Sequence, residues 1–282
     1  MIVYVHGQLV PIEQASVSVM DHGFLYGVGL FETMRVYQGN IFLWDEHYQR
    51  LSLGLAELRM DCSAWSQSQL HEVILQTVAA NQLKDAYIRL SVTGGNEGVG
   101  LNGSGYNDPC LFIFAKEVPP LQIPPKPKTL QTISFPRQTG EGHMRFKSHN
   151  YLNNTLAKLE VGNDPGVEGL FLTQEGYLCE GIVSNLFWVS DGVLHTPALS
   201  TGILGGITRQ HVMSLAKDLG IACKEGLYHK EELLGADEAF LTNSIQEIVP
   251  VSAIDNHQVA QVYGPITQKL HASYRQSVEL SG

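Results

Sequence analysis

Basic residues are in short supply: 18 Lys and Arg stand against 28 Asp and Glu, for a formal net charge of −10. With no cluster of Lys or Arg to offset that balance, the chain lacks the electrostatic footprint of a nucleic-acid binder. A small anionic ligand stays open, because a few buried arginines can set a local field. No apolar run approaches the roughly 20 residues of a membrane-spanning helix, so no membrane partner is expected. The opening residues, MIVYVHGQLV, carry neither a basic stretch nor a long apolar core, so no secretory leader is expected. The four cysteines, Cys62, Cys110, Cys179 and Cys223, are scattered without metal-ligand spacing. They read as reduced structural thiols in a cytoplasmic protein, with no metal site. There is no internal repeat.

What is present suits a folded core. The chain has 282 residues, 44% hydrophobic and 16% charged, enough for one large or two ordinary domains. Five of its 12 prolines, Pro119, Pro120, Pro124, Pro125 and Pro127, fall between Glu117 and Lys128. Such a stretch cannot join a sheet interior and is semi-rigid. It is read as a linker, giving residues 1–118 as an N-terminal α/β domain, 119–128 as the linker and 129–282 as a C-terminal domain.

Turn chemistry and periodicity place the elements. Ile2–Val5 and Leu9–Val10 form a hairpin. The glycines of Asp21–Gly29 break that segment, and a strand follows over Leu30–Tyr37. On it Phe31, Thr33, Arg35 and Tyr37 share one face, an odd set for a core and a reasonable one for a pocket. Helices are expected over Asp45–Met60, which includes Arg50, and Ser66–Ala80. Strands are expected over Ala86–Thr93, with Tyr87, Arg89 and Ser91 on one face, and over Cys110–Ala115. The loop between these strands contains Gly98-Val99-Gly100-Leu101-Asn102-Gly103. That spacing fits a dinucleotide fingerprint, but the fingerprint must open a helix inside a βαβ unit, and here a strand follows. A flexible loop near a site is expected instead. Beyond the linker, Leu130–Phe135 is a strand and the residues after Lys147 lead into a helix to about Gly162. Glu168–Thr173 and Tyr177–Glu180 pair, Asn243–Glu247 is a turn after the strand Glu238–Thr242, and Pro265–Val278 is a helix.

The densest chemistry lies in EGIVSNLFWVSDGVLHTPALSTGILGGITR, Glu180 to Arg209. A carboxylate opens a small-residue turn, Asn185 follows, and a hairpin leads to Gly202-Ile203-Leu204-Gly205-Gly206-Ile207-Thr208. An amphipathic helix starts there, with Val212, Leu215, Ala216 and Leu219 on one face. A glycine-rich turn entering a helix offers free backbone N–H groups and a favourable dipole to an anion.

This segment resembles the signature of the class IV pyridoxal-phosphate aminotransferases, through Glu180, Ile182, Asn185, Leu186, Phe187, Thr196, Leu204, Gly206, Ile207 and Arg209. RFKSHNYLNN, from Arg145, is similar to that family's Schiff-base lysine segment. The resemblance runs from Asp21 to Pro250. It implies an α/β (α+β) fold of type IV, two α/β domains with the cofactor site between them, pyridoxal 5'-phosphate as cofactor, and a homodimer. It also implies roles: Lys147 as the cofactor-bearing and catalytic lysine, Glu180 on the pyridine nitrogen, Tyr151 on the phenolic oxygen, and Asn185 as part of the cofactor signature. Arg50, Ile207, Thr208 and Ser244 would hold the phosphate. Three reactions of the family compete: branched-chain transamination, D-amino-acid transamination, and lysis of 4-amino-4-deoxychorismate to 4-aminobenzoate and pyruvate on the way to folate. DHGFLYGVGLFET, RFKSHNYLNN and LTNSIQEIVPV look most like the aminodeoxychorismate lyases of Gram-positive bacteria. Thr33 stands where branched-chain enzymes carry glycine, and the resemblance makes it a proton donor to the leaving group. The loop TGGNEGVG lacks the Arg and His that D-amino-acid enzymes use to trap a carboxylate. Tyr26, Phe31, Arg35 and Arg89 are the candidate substrate-binding residues, the arginines through bidentate bonds to carboxylates. Both arginines also match branched-chain enzymes, so transamination stays in contention.

Overall fold

The computed structural model describes residues 1–138, 140, 142 and 145–281. The chain divides into two compact units. The first holds Met1–Pro119 with Phe146–Asn150, and the second holds Pro120–Arg145 with Tyr151–Leu280.

In the first unit six strands form an antiparallel sheet. They are β1 (Ile2–Val5), β2 (Gln8–Pro11), β3 (Gly29–Tyr37), β4 (Asn40–Ile41), β5 (Ala86–Thr93) and β6 (Cys110–Glu117), in the order β2-β1-β6-β5-β3-β4. Between them lie α1 (His22–Tyr26), α2 (Trp44–Glu57) and α3 (Gln67–Ala80). Alternation decides which side chains are buried against the helices. Leu30, Met34 and Val36 of β3 and Ile88, Leu90 and Val92 of β5 join Leu51 and Leu55 of α2 and Ile74 of α3 in one core. The opposite face of β3 therefore carries Phe31, Thr33, Arg35 and Tyr37, as the alternation in the sequence predicts.

Asp21–Gly27 differs from expectation, because it is a capped helical turn rather than a broken stretch. The Asp21 carboxylate accepts the Gly23 N–H at 2.6 Å, and Gly27, at φ 69°, closes α1 in the left-handed region that only glycine adopts at no steric cost. Here Gly27 ends the helix and Gly23 lies within it.

In the second unit the strands are β7 (Lys128–Thr132), β8 (Val167–Leu172), β9 (Leu178–Gly181), β10 (Asn185–Ser190), β11 (Val193–Pro197), β12 (Cys223–Gly226), β13 (Glu238–Asn243), β14 (Glu247–Ile254) and β15 (His257–Gln258). They form a mixed sheet in the order β12-β11-β10-β13-β14-β7-β8-β9, with β15 on β14. The helices are α4 (Leu152–Val161), α5 (Ile207–Asp218), α6 (Lys230–Leu234) and α7 (Pro265–Leu280). Leu186, Trp188, Leu241, Val251 and Leu130 fill one core of this unit. A second departure is β14, which turn chemistry alone does not predict. Its first residue, Glu247, sits at φ 60° opposite Asn243 and meets Arg275 of α7 at 2.6 Å, a partner that local sequence cannot show.

Candidate active site

The lysine segment enters the first sheet as a short added strand. The Phe31 N–H donates to the Lys147 carbonyl and the His149 N–H to the Gly29 carbonyl, both at 2.9 Å, with Leu30 opposite Ser148 in an antiparallel bridge. Directly opposed residues share a face, so Lys147 stands beside Phe31 and His149 beside Gly29. The contacts agree. Lys147 Nζ lies 4.6 Å from the centre of the Phe31 ring, and the His149 ring lies 6.0 Å from it. Gly29 makes this possible, since a Cβ there would come within 2.7 Å of His149 Nδ1. On the other side of β3, Thr33 pairs with Arg89. The Arg89 guanidinium reaches diagonally over Phe31, 3.7 Å from the ring centre. One sheet face thus gathers Lys147, Thr33, Phe31, Arg89 and His149. Arg35 extends the row; it is buried, with Nη2 donating to the Pro119 carbonyl at 3.4 Å and its guanidinium 5.0 Å from the Tyr37 ring. The Tyr26 hydroxyl instead accepts the Gly100 N–H at 2.7 Å, while His22 Nε2 lies 3.1 Å from the Gly98 carbonyl oxygen. The loop expected to be flexible is therefore anchored at two points, and the strand β6 follows it, where a dinucleotide fingerprint would open a helix.

Arg50 meets β3 from the helix side. Glu32, on the alternate face from Phe31, sits at a position otherwise occupied by core residues and is 2% exposed. A carboxylate there needs charged and hydrogen-bonding partners. It accepts Arg50 Nε at 2.8 Å, Arg50 Nη2 at 2.6 Å and His47 Nδ1 at 2.7 Å. Burial alone would raise its pKa, but the Arg50 charge and His47 outweigh burial and hold Glu32 at about 2. Burial also leaves His47 below its ordinary value despite Glu32, so it serves as a neutral donor. The Glu32–His47 clamp is absent from the sequence reading. A signal for it existed: a carboxylate in the apolar register of β3, with His and Arg three residues apart on the next helix.

In the second unit Glu180, the penultimate residue of β9, is buried, 4% exposed. Its Oε1 accepts Arg137 Nε at 3.0 Å. Its Oε2 accepts the Leu204 N–H at 3.0 Å and Asn185 Nδ2 at 3.3 Å. A carboxylate offers about four acceptor sites, so capacity remains for a further donor. Asn185 also donates to the Leu204 carbonyl at 2.9 Å, tying the carboxylate to the glycine turn. A Cβ on Gly206 would come within 2.0 Å of Asn185 Oδ1, which explains glycine at that point of the signature. Arg137, which the sequence reading missed, also bonds Asn153 at 2.8 Å and Asn154 at 3.0 Å. It thereby links Glu180 to the first turn of α4, whose preceding residue is Tyr151.

Gly206 is the N-cap of α5 and supplies no side-chain cap, so the first-turn N–H groups, Ile207 and Thr208 among them, rely on another acceptor. The Thr208 hydroxyl lies 3.4 Å from that of Ser244. An uncapped helix start with two hydroxyls beside it can receive an anion such as a phosphate. Within the second unit, Glu180 can meet a protonated ring nitrogen beside that helix start, and within the first Lys147 can bind an aldehyde; each unit holds residue types that fit pyridoxal 5'-phosphate.

These features define a fold-type-IV pyridoxal-phosphate enzyme. Residues 29–254 match the family described as amino-transferase class IV, and the chain belongs to that family. It is 40% identical over 279 residues to an aminodeoxychorismate lyase of Bacillus subtilis (strain 168), covering 98% of this chain and 94% of that one. It is 39% identical over 276 residues to a putative branched-chain-amino-acid aminotransferase of Methanocaldococcus jannaschii, covering 97% and 95%. It superposes with a TM-score of 0.88 and 32% identity, over 100% of this chain and 95% of the other, on the T.th. branched-chain amino acid aminotransferase complexed with N-(5'-phosphopyridoxyl)-L-glutamate. Pyridoxal 5'-phosphate is the cofactor, and the enzyme is a lyase or an aminotransferase of this class. Among the described residues, no helix is long and apolar enough to cross a membrane.

The electrostatics of the first unit carry a pH prediction. Burial, reinforced by the Arg89 charge and opposed by Asp21, pushes His149 from 6.5 to about 4. Between those values the unfolded chain binds a proton that the native state does not, so this contribution is complete above about pH 6.5 and is lost as pH falls towards 4. The thermal midpoint should therefore drop across that window. In His149→Gln the pH slope should be shallower by up to about 1.4 kcal/mol per pH unit, read from unfolding curves at a series of pH values. Equal slopes in both proteins would show that His149 is not buried in its neutral form.

Proposed function

We propose that the protein is a lyase that cleaves 4-amino-4-deoxychorismate to 4-aminobenzoate and pyruvate. The observation that carries this reading is the single face of the first sheet on which Thr33 lies two residues along β3 from Phe31, the residue opposite Lys147. There a hydroxyl stands in line with the cofactor lysine where a transaminase needs no such donor. The 40% identity to the Bacillus subtilis lyase supports it.

Bound pyridoxal 5'-phosphate supplies an electron-withdrawing ring that stabilises the charge left when a proton leaves the carbon bearing the substrate amine. The side chains do the rest. Lys147 bears the cofactor and, once released by the substrate amine, takes the proton from C4 of the substrate ring. The C3–O bond then breaks, the enolpyruvyl oxygen leaves with the electron pair, and Thr33 or a water supplies its proton. Aromatisation of the six-membered ring drives this step. Arg35 and Arg89 bind one or both substrate carboxylates, with Phe31 and Tyr26 lining the ring. Arg50, clamped by Glu32, holds the phosphate together with Ile207, Thr208 and Ser244. Glu180 meets the ring nitrogen, Asn185 orients Glu180, and Tyr151 meets the phenolic oxygen. We take the working enzyme to be a cytoplasmic homodimer, with 1–118 and 129–282 as its domains and the proline-rich 119–128 as their linker.

The competing reading, a branched-chain or D-amino-acid aminotransferase, is favoured by Arg35 and Arg89 and by the 39% identity to the archaeal relative. The reactions differ in stoichiometry. A lyase forms 4-aminobenzoate and pyruvate in equal amounts with no 2-oxo acid added. An aminotransferase turns over only with an amino donor and a 2-oxo acceptor. We expect keto-acid-free release of both products when 4-amino-4-deoxychorismate is generated in place by a synthase. A strict requirement for 2-oxoglutarate would assign the chain to the aminotransferases.

A further inference from the structure

His149 has no role in the scheme above, yet its position is constrained. Antiparallel pairing of Lys147–His149 with Gly29–Phe31 puts its side chain on the same face as Lys147, two residues away. Gly29 leaves the space that the imidazole fills. The ring stands against Phe31, the same ring that carries the Arg89 guanidinium. Its Nε2 is buried without a hydrogen-bond partner among the described residues. Buried polar atoms of this kind are uncommon, because losing water without gaining a partner is unfavourable. One in the row of residues that holds the cofactor lysine calls for a ligand.

The surroundings narrow the chemistry of that ligand. After burial itself, the Arg89 charge has the largest effect on His149, and it opposes protonation, with Asp21 acting the other way. The imidazole is therefore a neutral group with one N–H to give, next to a fixed cation. Another cation would be repelled, and an apolar group would leave Nε2 unsatisfied. An anionic oxygen satisfies both neighbours at once, by a charge-assisted bond to Arg89 and a second bond from Nε2–H.

We infer that His149 is a substrate-binding residue that donates, from Nε2, a hydrogen bond to a substrate carboxylate held by Arg89. This rests on the reading above that Arg89 receives a carboxylate, and it adds the second half of that receptor. It concerns the carboxylate, which the substrates of both competing reactions carry.

The test uses the holoenzyme and binding without turnover. Dissociation constants are measured by calorimetry for 4-aminobenzoate, for its neutral analogue 4-aminobenzamide and for the aliphatic 4-methylvalerate, with the wild type, His149→Phe and His149→Gln. Phenylalanine keeps the ring and removes the donor, whereas the glutamine amide restores an N–H close to the position of Nε2. The expected result is a loss of roughly tenfold or more in carboxylate affinity for His149→Phe, the size of a hydrogen bond to a charged acceptor. His149→Gln should stay within about threefold of wild type, and the amide probe should not discriminate among the three proteins. In turnover His149→Phe should raise KM well beyond any change in kcat. Wild-type affinity for the carboxylates in His149→Phe would overturn the inference. So would equal losses in both variants accompanied by loss of cofactor absorbance, which would make His149 a packing residue. Failure of the wild type to bind either carboxylate would also overturn it. Keto-acid-free product formation is a separate readout, so a lyase reading that fails leaves the carboxylate result standing, and the reverse.

Discussion

Lys147→Ala should lower turnover of 4-amino-4-deoxychorismate by about 10³-fold or more while leaving the fold intact. The size of the loss follows from two roles meeting in one atom. Lys147 Nζ would both anchor the cofactor and take the proton from the substrate carbon, and removing a positioned proton acceptor by itself costs about 10²–10⁴-fold. The stability expectation follows from the backbone. The carbonyl of residue 147 would still accept the Phe31 N–H, and the N–H of residue 149 would still reach Gly29, so the added strand keeps its bonds in the variant. What is lost is a cation 4.6 Å from the Phe31 ring, an interaction of about 0.5–2 kcal/mol that Arg89 shares. The measurements are pyruvate release, the thermal midpoint, and the near-visible absorbance of the protein purified with its cofactor. Activity within tenfold of wild type would remove Lys147 from the chemistry. A collapsed thermal midpoint would show that the lysine chiefly supports the strand.

How much of this was legible in the sequence depends on the range over which each feature is determined. The face of β3 that carries Phe31, Thr33 and Arg35 follows from strand alternation, which is local, and the bounds of β5, Ala86–Thr93, are those that the apolar pattern marks. The glycine turn entering α5 is local as well. That Lys147 lies beside Phe31 is not, because the pairing joins residues far apart in the chain and rests on two backbone hydrogen bonds with no sequence signature. The same holds for Arg137, whose only local context is a loop after β7. Its importance comes from Glu180, Asn153 and Asn154 converging on it. β14 was hidden for a related reason. It begins with a glutamate and contains Pro250, both poor strand formers, and it becomes a strand because Glu247 finds Arg275 and because Phe240 and Leu241 of β13 pair with Pro250 and Val249. Local pattern thus reveals which residues are chemically equipped, and tertiary pairing decides which of them meet.

Glu180 is where structure and proposed chemistry are hardest to separate, and a pair of variants separates them. The carboxylate accepts Arg137 on one oxygen and Leu204 N–H and Asn185 Nδ2 on the other, with Arg145 Nε 3.9 Å from the first oxygen, and on each side stands a group, the Arg137 guanidinium or the Leu204 N–H, that can only donate. In Glu180→Gln the amide N–H₂ must face one of these donors whichever way it is turned. Whichever way it faces, Arg137, a guanidinium with 3% of its side chain exposed, loses its counter-charge, a change that costs roughly 3–5 kcal/mol in buried ion pairs. The variant should therefore be less stable, and if Glu180 holds the ring nitrogen, kcat should fall by about 10²–10³-fold, the usual loss when one preorganised electrostatic partner is removed. A loss of activity alone could be blamed on the weakened fold. Adding Arg137→Met removes the stranded charge and fills its place beside Phe171 with an apolar chain, which should recover most of the stability and none of the activity. The readouts are thermal midpoints and pyruvate release for Glu180→Gln, Arg137→Met and the double variant. Recovery of both quantities together in the double variant would make Glu180 a counter-ion for Arg137 and nothing more. Recovery of stability alone would leave the cofactor ring as the partner its remaining acceptor capacity serves.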